Sequence, residues 1–148
     1  MVAVVRPDSW NVALLVHVAG AMLTMGGLVV ATVAVAGARR RREGTAVLAR
    51  LGFRTLLLAV LPALIVMRVG AEWIASEEDL ADPSWIGIGY STADGGILLT
   101  VIATVLAWRA TKRGADGPGR LGTAVLVLCG LVLVAYAVTI WAMTTKPS

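Results

Sequence analysis

Cysteine and histidine each occur once in this chain of 148 residues. Cys129 has no second cysteine to pair with, so no internal disulfide forms and the redox compartment cannot be read from cysteine usage. With His17 as the sole histidine, bis-histidine ligation of a haem within one chain is excluded. Charge is scarce as well, at 15% of residues against about 25% in soluble domains. Lysine appears only at Lys112 and Lys146, and no base of either kind lies between Arg68 and Arg109. The remaining bases are arginines, a bias that accompanies GC-rich bacterial genomes.

What fills the chain instead is apolar: 58% of residues, against about 45–50% in a soluble domain. Four apolar runs stand out, Asn11–Ala38, Leu51–Ile74, Ser84–Trp108 and Leu121–Thr145. Each reaches the ~20 residues that an α-helix needs to cross a hydrocarbon core about 30 Å thick. The runs are continuous, without the alternation of a lipid-facing strand, so they predict helices and not a barrel. The expectation is an all-α, four-helix transmembrane bundle with short loops, forming a single domain over residues 1–148. Its first run has no acid or base from Val12 to Ala38 and precedes the basic stretch. That is longer than a signal-peptide core of about 7–15 residues and reads as a retained anchor.

Charge placement gives the orientation. Arg39, Arg40, Arg41, Arg42, Arg50 and Arg54 flank the first loop, and Arg109, Lys112, Arg113 and Arg120 flank the third. The middle loop holds Glu77, Glu78, Asp79 and Asp82 and no base. Basic short loops stay in the cytoplasm, so both termini and the acidic loop are expected outside, in a bacterial inner membrane. The same distribution removes nucleic acid as the reason for a net charge of +4, leaving the anionic bilayer surface as partner of the basic loops. The acidic loop lacks calcium-site spacing. The Glu43–Arg54 stretch reads as a lead-in to the second helix against anionic headgroups, and Gly114–Gly119 as a flexible turn. Trp10, Trp73, Trp85, Trp108 and Trp141 fall near the predicted helix ends, where an interfacial belt places tryptophan.

Polar residues at membrane depth are costly and mark candidate sites. Counting about 1.5 Å per residue from the nearest outer tryptophan puts His17 ~10 Å, Arg68 ~7 Å and Asp94 ~13 Å deep. Glu72 is at the outer boundary and Tyr136 lies about as deep as Asp94. These five residues, at least one per helix, form the expected intramembrane polar cluster. His17 shares a helical face with the small residues Gly20 and Ala21, and Asp94 shares one with Gly87 and Tyr90. Arg68 and Glu72 are one helical turn apart and able to pair. Pro62 removes a backbone donor, frees the Leu58 carbonyl and predicts a kink.

Two readings of the cluster stay open. In one it is a structural plug of ion pairs and hydrogen bonds inside a non-enzymatic accessory or homo-oligomeric membrane component, with no catalytic residues. In the other it is an outward-facing site for a cofactor, metal, proton or small ligand, with His17 as cofactor ligand. Haem b would need Met25 or Met67 as a second ligand, and copper(I) favours Met, Cys and His. A small transporter or channel is a further class, but nothing ionisable lies in the inner half except boundary arginines.

The stretch from Val16 to Leu28, with a histidine early in the first helix and Gly26-Gly27-Leu28 after eight intervening residues, resembles the opening of the copper-resistance-D-like bacterial membrane proteins. That group holds families of unknown function and, more distantly, a haem b-carrying protoporphyrinogen oxidase. The resemblance covers about half the chain and implies a multi-helix membrane fold with His17 as ligand. Thr24 stands where the family usually has tryptophan, and no lysine lies in an apolar run, so the oxidase reaction is not implied.

Overall fold

A computed structural model describes residues 9–40, 44–78, 84–113 and 119–144. The chain forms four long helices, with no strand among the described residues. Helix α1 is Ser9–Arg40. Helix α2 runs unbroken over residues 45–78, through Thr45–Thr55, a π-helical turn at Leu56–Val60, and Leu61–Glu78. Helix α3 is Ser84–Thr111 and α4 is Gly119–Thr144. All four are long and apolar enough to span a membrane, over Asn11–Arg40, Thr45–Ser76, Gly89–Thr111 and Gly119–Trp141.

The lead-in before Leu51 is part of α2 itself. Its Ala49 and Gly52 are buried while Arg50 and Arg54 point outward, an amphipathic start to an otherwise apolar helix. Gly44 precedes it with φ 72°, a left-handed conformation that a side chain would strain. Farther on, the Leu61 N–H bonds back to the Leu56 carbonyl, five residues earlier, immediately before Pro62. A proline without an N–H disturbs the regular ladder one turn upstream, and here that disturbance takes the form of the π turn.

Small residues set how closely the helices approach. A Cβ built on Gly20 would lie 2.7 Å from the Met67 backbone nitrogen, and one on Gly70 would lie 2.8 Å from the His17 backbone nitrogen. These two contacts, with Gly27 facing Val60, show that α1 and α2 run antiparallel in tight register. Without a hydrophobic drive between helices in lipid, such close backbone approach is a main source of attraction. Deeper in the bundle Leu28, Leu56, Val60, Leu64, Val125 and Val132 are fully buried. Leu15, Met22, Leu23, Val33, Leu58 and Val134 face outward, a surface suited to acyl chains. Trp73, Trp108 and Trp141 are exposed near span ends, and Lys112 lies 4.1 Å over the Trp108 ring.

Cys129 is 1% exposed in this core. In the folded protein it is expected to resist maleimide and to react completely only after denaturation, as read by intact mass. Rapid labelling of the folded state would contradict the packing of α4.

Candidate polar site between the second and third helices

Arg68 and Glu72 sit one turn apart on α2, and Tyr90 and Asp94 sit one turn apart on α3. The antiparallel register sets Arg68 opposite Asp94 and Glu72 opposite Tyr90. Arg68 Nε donates to Asp94 Oδ1 at 3.1 Å, and Nη1 donates to Glu72 Oε1 at 2.5 Å. The Tyr90 hydroxyl donates to Glu72 Oε2 at 3.3 Å, and the Arg68 guanidinium lies 4.2 Å from the Tyr90 ring centroid. One cation thus holds two carboxylates and stacks on an aromatic face, a use for which the planar guanidinium fork is suited.

The network is not enclosed. The Arg68 side chain is 23% exposed, but those of Glu72 and Asp94 are 57% and 63% exposed. Among the described residues Glu72 has both oxygens engaged and Asp94 receives one bond, and the two acids share a single cation.

His17 lies elsewhere. Its Nδ1 is 2.9 Å from the Met67 carbonyl oxygen. A carbonyl only accepts, so Nδ1 carries a proton and donates to it. Met67 and Arg68 are adjacent in sequence and therefore about 100° apart around α2, which separates this contact from the Arg68 network. Tyr136 lies within electrostatic range of Asp94 but is not bonded to it. It is buried with its ring against Gly96 on α3, and its hydroxyl has no hydrogen-bond partner among the described residues. Of the five residues expected from sequence, the structure joins Arg68, Glu72 and Asp94 by hydrogen bonds, adds Tyr90, sets Tyr136 within electrostatic range of Asp94 without a bond to it, and turns His17 to the Met67 carbonyl.

Hydroxyls along the interior divide into two kinds. Thr32, Thr104 and Thr139 bond to carbonyls one turn back, and the Thr92 and Thr139 hydroxyls link α3 to α4 at 3.0 Å. Thr24 and Thr100, like Tyr136, are buried with hydroxyls unpartnered among the described residues. Removing an unpartnered buried hydroxyl removes its desolvation penalty, so Tyr136→Phe is expected to be neutral or to stabilise by up to ~1 kcal/mol. Thermal unfolding in detergent measures this. A loss of comparable size would instead reveal a hydrogen bond made by that hydroxyl.

The acidic residues Asp79 and Asp82, the bases Arg41 and Arg42, and Gly114–Pro118 lie outside the described residues, as do the side chains of Glu77 and Glu78. Among the described residues no group of three or more His, Cys, Asp or Glu side chains is arranged to hold a metal ion. No family model, no curated protein and no solved structure matches the chain.

Proposed function

We propose that this chain is a small accessory component of a bacterial inner-membrane assembly, with both termini outside the cytoplasm. Its outer-half polar face between α2 and α3 docks a membrane-protein partner. The observation that carries this reading is the exposure of the Asp94 carboxylate, 63%, inside a membrane-spanning segment. An unpaired carboxylate turned to lipid at depth costs about 2.5–3.5 kcal/mol on insertion scales, and the single bond from Arg68 offsets part of this, so cover by protein or water stabilises the face. The exposed neighbours Ile65, Val69, Leu98 and Val101 are apolar, which suits a packed helix better than water.

Extraction with a styrene–maleic acid copolymer, which keeps native lipid neighbours, tests the reading. The chain is expected to travel with a second polypeptide, or a second copy, and to lose it in Asp94→Leu. A lone 15.4 kDa chain in the wild-type particles would sink the proposal. The orientation rests on the basic loops. Alkaline phosphatase fused after Thr144 should be active and fused after Lys112 inactive; the reverse pattern would invert the topology.

A second reading is supported by His17. Metal-ligating histidines commonly donate one ring N–H to a carbonyl, leaving the other nitrogen for the metal, and His17 has that arrangement. It agrees with the copper-resistance-D-like resemblance and would make the chain a haem- or copper-binding protein. Met25 is eight residues along the same helix, about 12 Å on the axis, too far to share an ion with His17. Met67, across the α1–α2 contact, is the internal candidate for a second ligand. A Soret band, or stoichiometric iron or copper, lost in His17→Ala would support this reading; colourless, metal-free protein would count against it.

A further inference from the structure

The partner-docking reading leaves open what chemistry the partner brings, and the charge balance of the cluster addresses it. Arg68 supplies one positive charge, while Glu72 and Asp94 supply two negative ones. Both Glu72 oxygens are held within the cluster, while Asp94 is bonded once among the described residues and faces outward. Below it, Leu98 and Val101 continue the exposed face of α3, while Ile65 and Val69 flank Arg68 on α2. The surface is therefore an apolar helix-packing face with a single carboxylate set into it.

Resting on that docking reading, we propose that Asp94 receives a lysine or arginine side chain carried by a transmembrane helix of the partner. A second copy of this chain fits poorly. Two-fold pairing would bring one net-negative cluster against another, and Arg68, the base at this level, is already committed to its own acids. The remaining bases lie in or beside the loops and terminal segments. A free cation fits poorly as well, because the exposed apolar side chains beside Asp94 would be left against lipid with no walls around the ion. A basic residue within an apolar helix satisfies both parts of the surface, pairing the charge and covering the apolar rim.

The test uses the full chain in lipid nanodiscs and two synthetic leucine-rich transmembrane peptides, one bearing a single lysine in its outer half and one without it. Binding is read by energy transfer from a dye on Ser148→Cys to a dye on the peptide. The lysine peptide is expected to bind at least ten times more tightly than its leucine counterpart. Asp94→Asn should remove the difference, and Glu72→Gln, which leaves Arg68 to neutralise Asp94 alone, should reduce it. Circular dichroism establishes that both variants keep their helices. Equal binding of the two peptides, or a preference that survives Asp94→Asn, overturns the proposal. If a partner is still captured in native-lipid particles, such a result defeats the basic-helix inference and leaves the docking reading standing. Absence of any partner in those particles defeats the docking reading itself.

Discussion

Arg68→Leu will lower the stability of the purified protein by about 1–2 kcal/mol, equivalent to ~3–8 °C in Tm for a domain of this size. The substitution removes the cation that accounts for both ion pairs and the ring contact, and leaves two carboxylates facing each other across α2 and α3. Breaking a fully buried pair from one side costs about 3–5 kcal/mol; partial exposure of Glu72 and Asp94 screens part of that. Arg68→Lys should recover only part of the loss, because an ammonium cannot reproduce the Nε and Nη1 fork. The informative control is the triple variant Arg68→Leu, Glu72→Gln, Asp94→Asn, which removes the stranded charges and should regain most of the stability. A melting temperature unchanged by Arg68→Leu would mean that the cluster does not hold α2 to α3.

Alanine at Gly20 or Gly70 is expected to produce the other large effect, about 2–3 kcal/mol for either, at the upper end of overpacking costs. The obstruction is backbone. A Cβ on Gly20 meets Met67 N at 2.7 Å and Cα at 2.9 Å, while one on Gly70 meets His17 N at 2.8 Å and Cα at 2.9 Å. No rotamer change relieves such contacts, so α1 and α2 must separate and the His17–Met67 hydrogen bond must stretch. Gly27→Ala meets the end of the Val60 side chain and should cost less, ~1 kcal/mol. At Gly26, where nothing lies within 4 Å, alanine should be neutral or gain up to ~1 kcal/mol from helix propensity. Because Gly20 and Gly70 serve one interface, the double variant should lose less than the sum of the singles. Thermal unfolding by circular dichroism separates these cases; equal effects at Gly20 and Gly26 would contradict the close α1–α2 approach.

The fold was legible because a span needs little more than a long, uninterrupted apolar run, and four such runs are present. The local pair Arg68–Glu72 was legible for a similar reason, since one helical turn fixes its geometry whatever the neighbours do. Rotation and register between helices were not legible. Equal depth suggested that Tyr136 joins Asp94; the two are electrostatic neighbours, but the Tyr136 ring packs on Gly96 and its hydroxyl makes no hydrogen bond among the described residues. Tyr90, already on the Asp94 face in the sequence, reaches the network because α3 turns that face toward α2. The acceptor for His17 is a backbone carbonyl, which leaves no trace in side-chain identity. Pro62 announced a disturbance of α2, but a π turn differs from other distortions only in hydrogen-bond pairing.

On the docking proposal, protein and not lipid covers the face around Asp94. Photocrosslinking in living cells tests it most directly, with benzoylphenylalanine at Val69 or Leu98 on that face and at Val33 or Val134 on other exposed faces. A discrete adduct of higher mass is expected from positions 69 and 98, weakened by Asp94→Asn, and none from 33 or 134. Adducts absent at all four positions, or formed equally at all four, would contradict it.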